Sequence, residues 1–164
     1  EPYRRQRQMC IRDRIKNYSS NPIEDQIRLW DLCIFNYLIG NTDNHVKNIA
    51  LLYSEDLKGI RLAPAYDLLS TVIYDSSTEK MSLNIDGEYD IRNINQKSFE
   101  NEAKKLGLGK GIATQHFLSM VKKFEMALEQ STYELEEQGY EVAVDIQKQI
   151  LKKAGIHNFK LTNL

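Results

Sequence analysis

Between Pro22 and Ile39 the apolar residues Ile23, Ile27, Trp30, Ile34, Tyr37 and Leu38 recur mostly in steps of four and three, the period of one helical face. Leu29, Leu32, Cys33, Phe35 and Ile39 widen that face, so the second half of the helix should be nearly surrounded by protein. Asn21 before Pro22 offers an N-cap followed by a proline where the missing N–H costs nothing. Gly40 suits the C-terminal cap. The pattern then changes. Asn41-Thr42-Asp43-Asn44-His45 is a cluster of loop formers, and 49–53 and 60–62 read as two short strands joined by 54–59. Pro64 disfavours the helical region for Ala63 and opens an irregular stretch through Asp67. Residues 68–80 show no period and predict a mobile loop. Met81 to Ile85 and Glu88 to Ile91 predict a second hairpin around Asp86-Gly87. After Ser98 the pattern is helical: Phe99, Ala103 and Leu106 in a short helix, Phe117, Met120, Val121, Phe124 and Leu128 in a longer one, and Val142, Ile146 and Ile150 in a last one that ends near Gly155. The expected fold class is α+β and mostly α, a helical lobe with two small β-hairpins.

The 164 residues are 41% hydrophobic and 27% charged, which fits one folded domain or a large lobe. No apolar run reaches the length of a membrane-spanning helix, and no apolar segment follows the N-terminal arginines. Neither a membrane role nor a secretory leader is expected, and a cytoplasmic location is. Cys10 lies in a basic stretch and Cys33 in an apolar one, which does not describe a disulfide framework. The net charge of −1 hides an uneven distribution: residues 1–14 hold five arginines against Glu1 and Asp13, and the rest carries −4. That remainder offers no electrostatic footprint for nucleic acid. The head Arg4-Arg5-Gln6-Arg7-Gln8-Met9-Cys10-Ile11-Arg12-Asp13-Arg14 resembles a translated sequencing adapter. On that reading residues 1–14 are non-native and 15–164 form the lobe, incomplete on its N-terminal side.

The candidate chemistry lies in residues 41–67. Phosphoryl transfer from ATP needs a partner for the acceptor hydroxyl and oxygen ligands that hold Mg²⁺ across the phosphates. In protein kinases the catalytic aspartate and a metal-binding asparagine share a loop with four residues between them, and a metal-binding aspartate follows later. Asp43 and Asn48 have that spacing, and Asp67 follows the expected hairpin. Asn48 and Asp67 are the hard oxygen ligands Mg²⁺ prefers. An isolated D-x-x-x-x-N string is common; the helix before it and the hairpin after it give it weight. Each residue also has a plainer reading: Asp43 as an Asx-turn residue, Asn48 as a turn cap, and Asp67 as the N-cap of a following helix.

The run Phe35-Asn36-Tyr37-Leu38-Ile39-Gly40-Asn41-Thr42-Asp43-Asn44-His45-Val46-Lys47-Asn48, followed by Leu62-Ala63-Pro64-Ala65-Tyr66-Asp67, resembles the C-terminal region of HipA-type serine/threonine kinases, the toxin components of bacterial toxin–antitoxin modules. The resemblance covers roughly residues 20–155 and is strongest within 35–70. It implies a protein-kinase-like C-lobe, with Asp43 as catalytic base, Asn48 and Asp67 as Mg²⁺ ligands and ATP as donor. His45 would support the loop, and Lys47 would either reach phosphate or face solvent. It further implies self-phosphorylation, a DNA-binding helix-turn-helix antitoxin as partner, and a protein substrate such as an aminoacyl-tRNA synthetase. A kinase also needs an N-terminal lobe with a phosphate-covering loop and a strand lysine, which residues 15–22 cannot supply. These residues alone are therefore expected to bind nucleotide weakly and not to turn over.

Two rivals stand beside this reading: a metal-dependent hydrolase using Asp43, His45 and Asp67, and a non-catalytic lobe serving as an interaction module. Elsewhere the expectations are structural. His116 and His157 look isolated, Cys33 reads as a small buried hydrophobe, and the Glu134–Glu141 stretch reads as a solvated helix face. Gly107-Leu108-Gly109-Lys110-Gly111 lacks the strand and spacing of a phosphate loop and predicts a helix–helix turn.

Overall fold

The computed structural model describes residues 11–159. Helix α1 covers 11–18, α2 Pro22–Ile39, α3 Gln96–Leu106, α4 Lys110–Glu137 and α5 Val142–Lys153. Strands β1 (Leu51–Tyr53) and β2 (Ile60–Leu62) pair antiparallel, as do β3 (Lys80–Ile85) and β4 (Glu88–Asp90), the latter with an irregular register. Single 3₁₀ turns occupy Val46–Asn48 and Gly155–Phe159. The fold is thus mostly helical with two small antiparallel pairs, as the hydrophobic pattern predicts.

Helix α2 is the central element, packing on α4, β2 and the Gly155–Phe159 turn. Its start follows the expected chemistry: Glu24 N–H donates to the Asn21 side chain, and Pro22 opens the first turn. Its apolar stripe buries Leu29, Trp30, Ile34, Tyr37 and Leu38, each large side chain contributing about 1.5–3 kcal/mol. Trp30 and Tyr37 join Phe99, Phe117 and Phe159 in an aromatic cluster with ring centroids 4.6 to 6.0 Å apart. The polar edges of those rings are satisfied too. Trp30 Nε1 donates to Ala113 O at 3.1 Å, and the Tyr37 hydroxyl lies 2.9 Å from Ile94 O and accepts from Asn158 at 2.8 Å. Gly155 seats directly on Tyr37, where a Cβ would collide with its ring and carbonyl oxygen.

Several expectations need correction. Ile23 stands 69% exposed, and in the first turn of α2 it is Asp25 that is buried. In α5 the buried residues are Ala143 and Ile150, whereas Val142 and Ile146 face outward. The 68–80 stretch is pinned at its middle: the N–H groups of Thr71 and Val72 donate to Gly40 O at 3.1 and 3.0 Å, Val72 is buried, and Lys153 of α5 reaches Ile73 O and Asp75. Backbone hydrogen bonds order it, and these leave no periodic trace in the sequence. Strand β1 starts two residues later than expected, since the 3₁₀ turn takes the chain up to Asn48.

Of the head set apart on sequence grounds, residues 1–10, with Cys10, lie outside the described residues, and 11–14 belong to α1. There Ile11 packs against the core and Arg12 pairs with the buried Glu102. Burial lowers the pKa of Arg12, against the pull of Cys33 and Asp13. The same burial pushes the Cys33 thiol up to about 11, against Arg12, which keeps it unreactive near neutral pH.

Candidate site at the end of the central helix

Gly40 turns the chain out of α2 with φ +72°, a conformation glycine adopts without penalty. A Cβ there would also run into Val72 and Ala154. The polar residues that follow are held one by one. Asn41 is buried; its backbone N–H donates to Asn36 O at 2.8 Å, and its side-chain amide donates to Asn36 Oδ1 at 2.8 Å and to Asp67 O at 2.9 Å. Thr42, also buried, donates its backbone N–H to Thr71 Oγ1 at 2.7 Å and accepts from Ser82 N–H at 2.9 Å. Asp43, between these fixed neighbours and the buried Asn44, is exposed in the turn.

The chain then enters the 3₁₀ turn, where His45 O accepts from Asn48 N–H at 2.9 Å. His45 is half-buried and its Nδ1 has no hydrogen-bond partner among the described residues. Lys47 faces solvent. Asn48 is buried, and its Nδ2 donates to Asp67 Oδ2 at 2.6 Å. These two residues lie 19 positions apart, brought together because β1 and β2 return the chain to the loop.

Asp67 itself is exposed and has φ +57°, a left-handed conformation that aspartate tolerates better than most residues. No helix follows it, since 68–70 are irregular and Leu68 and Leu69 are exposed. The N-cap reading of Asp67 thus finds no helix to cap. Its neighbour Tyr66 donates its hydroxyl to Lys47 O at 2.6 Å, a second tie between the two segments.

The structure therefore brings Asn48 and Asp67 into contact, with Asp43 and Lys47 exposed on the same loop as Asn48. Sequence reasoning assigned no role to Asn41, Thr42 or Thr71. The signal was present for Asn41 alone, as an asparagine directly after a C-capping glycine. Sequence reasoning also misread His116, which is not isolated: its Nδ1 lies 2.8 Å from Asp31 Oδ1 and joins α4 to α2. His157 Nδ1 lies 3.3 Å from Leu151 O, in the last turn of α5. Among the described residues no group of three His, Cys, Asp or Glu side chains could hold a metal ion. No helix of the described residues is long and apolar enough to cross a membrane.

Comparison with known proteins places this chain in a family. The family model of the HipA-like C-terminal domain matches residues 2–131. A Sinorhizobium fredii protein named "Putative kinase Y4mE" is 33% identical over 107 residues, covering 65% of this chain and 25% of the relative. The "Serine/threonine-protein kinase toxin HipA" of Shewanella oneidensis is 25% identical over 108 residues, covering 66% of this chain and 24% of the relative. The chain thus spans about a quarter of the length of the curated relatives it matches. Among solved structures, a chain in the Shewanella oneidensis HipA, HipB and operator DNA complex superposes with a TM-score of 0.72 at 22% identity, covering 84% of this chain and 33% of that one. At that identity the likeness speaks for the fold. With most of its length matched by the family model, the chain belongs to the HipA-like C-terminal domain family.

Proposed function

We propose that these residues form the catalytic-loop side of an ATP-dependent serine/threonine protein kinase of the HipA kind, a protein-kinase-like C-lobe. The observation that carries this reading is the Asn48–Asp67 contact of 2.6 Å across the β1–β2 hairpin. It joins the two residues that kinase spacing marks as ligands and leaves Asp43 exposed on the same loop. The donor set fits Mg²⁺: an amide oxygen and a carboxylate are hard ligands, and that ion keeps several waters and takes phosphate oxygens besides one or two carboxylates. When bound, Mg²⁺ supplies positive charge against the β- and γ-phosphates.

In this reading Asn48 and Asp67 hold the ion, and Lys47, exposed beside Asn48, is free to reach phosphate. His45 keeps the turn in shape through its carbonyl. Asp43 accepts the proton of a serine or threonine hydroxyl as its oxygen bonds to the γ-phosphorus and the bond to the leaving ADP oxygen breaks. Positioning and charge stabilisation supply most of the rate enhancement in such chemistry. The setting would be cytoplasmic, with an antitoxin of the HipB kind as partner and a protein, an aminoacyl-tRNA synthetase among the options, as substrate. The hydrolase reading is not favoured, because Asp43, His45 and Asp67 do not come together as a group that could hold a metal ion, nor does any other set of three His, Cys, Asp or Glu side chains among the described residues.

The activity is proposed for the intact gene product. Labelled-phosphate transfer by that protein should vanish in Asp67→Asn while the fold persists, and retained transfer would overturn the metal assignment. The 164 residues alone should bind Mg-ATP weakly by isothermal titration; micromolar affinity would count against that part of the proposal.

A further inference from the structure

We infer that Asn41 is a positioning residue for Asp67, fixing from the interior the backbone from which the Asp67 carboxylate meets Asn48. This deepens the proposed function and rests on its reading of Asp67 as a metal ligand. Asn41 is 1% exposed and so is Asn36. A continuous relay starts inside α2: Asn36 Nδ2 donates to Leu32 O at 2.9 Å, Asn41 Nδ2 donates to Asn36 Oδ1 at 2.8 Å, and the same Nδ2 donates to Asp67 O at 2.9 Å. Both partners of the Asn41 amide nitrogen are oxygens that only accept, so the orientation of that amide is determined by its surroundings. The relay has two consequences for Asp67.

First, it offsets a conformational cost. Asp67 sits at φ +57°, a conformation that is costly for a non-glycine residue and persists only where the surrounding structure over-determines it. A buried hydrogen bond to its carbonyl is such a restraint. Second, it leaves the carboxylate uncommitted to the interior. Asp67 is held at its carbonyl by Asn41 and at its carboxylate by Asn48, and the rest of the side chain is exposed. Asn41 belongs to the segment that also carries Asp43, so one buried amide ties the base loop and the ligand loop to the same turn of α2. Outer partners of this kind typically change metal affinity by about 10–100-fold when removed.

The test uses the full 164-residue chain, labelled with ¹³C and ¹⁵N, as wild type, Asn41→Ala, Asn41→Asp, Asp67→Asn and Asn158→Ala. The last variant removes the part-buried hydrogen bonds of Asn158 to Tyr37 and Ile91, a loss of side-chain hydrogen bonds away from Asp67. Two quantities are read: the Cα and Cβ shifts of residue 67, which report the sign of φ, and Mn²⁺ affinity by electron paramagnetic resonance. The Asn41 variants should move Asp67 out of the left-handed region and weaken Mn²⁺ binding about 10–100-fold, whereas Asn158→Ala lowers the melting temperature and leaves both unchanged. Unmoved Asp67 shifts in a folded Asn41 variant, with Mn²⁺ bound as in wild type, would overturn the positioning role alone. Equal weakening by Asn158→Ala would overturn it as well. Wild-type Mn²⁺ binding that is absent, or unaffected by Asp67→Asn, would remove the metal reading and the role together. Should neither Asn41 variant fold, Asn36→Ala severs the relay one step back and must shift Asp67 in the same direction; unchanged shifts there overturn the role.

Discussion

The two ends of α2 carry polar clusters of similar composition that are built in opposite ways. At the N-terminal end Asp25 is fully buried, and its carboxylate accepts from Ser19 at 2.6 Å, from Leu62 N–H at 2.8 Å, and from the Arg61 guanidinium at 3.1 to 3.2 Å. Arg28 completes the joint, reaching Asp25 and Leu62 O. At the C-terminal end the buried groups are neutral amides and hydroxyls, Asn36, Asn41, Thr42 and Asn48, while the carboxylates of Asp43 and Asp67 stand at the surface. One end spends its charge inside the fold, where it locks α2 to β2. The other fixes the backbone with uncharged groups and keeps its charge for whatever approaches. A catalytic carboxylate needs the second arrangement, since one saturated by internal donors has little left for a substrate proton or a cation.

The sharpest way to break this contrast is to remove a carboxylate from each end. Asp43→Ala should lower phosphoryl transfer by the intact gene product about 10²–10⁴-fold, the usual share of a general base. Its melting temperature should hardly move, because an exposed substitution usually costs under about 0.5 kcal/mol. Asp25→Ala should do the reverse to stability. It strands the buried Leu62 N–H and the Ser19 hydroxyl, a loss of about 3 kcal/mol in denaturant unfolding, moderated because Arg61 can turn to water. A stable Asp25→Ala chain, or an unfolded Asp43→Ala chain, would erase the distinction.

The same contrast has a pH signature. Burial works to raise the pKa of Asp25, but hydrogen bonds from Arg61, Ser19 and Leu62 outweigh it and hold the group below its ordinary value. The Arg92 side chain likewise holds Asp90, at the end of β4, down at about 2. With folded values below the unfolded value of about 3.9, both groups contribute stability that is fully present above about pH 4. It is lost as the pH falls through the folded values. Unfolding free energy measured from pH 5 down to 2 should therefore decline steadily, and Asp25→Asn should flatten that limb. An unchanged limb would show that Asp25 is not the titrating joint.

At the C-terminal end stands Gly40, and what was legible in the sequence divides at that residue. The extent of helix α2 could be read because most of its side chains repeat with the period of its packing and both caps use standard residues. The pairing of β1 with β2, and the kinase-like spacing of Asp43, Asn48 and Asp67, were legible for the same local reason. What was not legible is how the loop is fastened. Thr71, Val72 and Asn41 act through backbone groups and through contacts with residues far along the chain, such as those of Thr71 and Val72 with Gly40, and a short polar residue in a loop looks alike whether it binds a carbonyl or water. The outward turn of Ile23, Val142 and Ile146 was hidden too, since an apolar period says which residues share a face and not where the neighbouring element stops. Gly40→Ala tests the fastening directly. The added methyl meets Val72 and Ala154 at a positive φ, and a cost of about 2 kcal/mol is expected. It should also loosen residues 71–72, read as faster amide exchange at Thr71 and Val72 than a uniform loss of stability would give.

The smallest expected effect falls on the contact that most clearly belongs to the C-terminal cluster alone. Tyr66 is 48% exposed, yet its hydroxyl donates to Lys47 O at 2.6 Å, bridging the loop that holds Asn48 and the segment that holds Asp67. Tyr66→Phe leaves an accessible carbonyl that water can satisfy, so the stability cost should be about 1 kcal/mol or less. If the bridge merely decorates the surface, transfer activity should follow that small loss and stay near wild type. If the C-terminal end works by holding exposed groups in fixed relation, Tyr66→Phe should lower kcat several-fold with the melting temperature nearly unchanged. Activity and stability would then come apart here in the same direction as in Asp43→Ala, by a smaller factor, because a rigid loop edge is altered while the reacting groups remain.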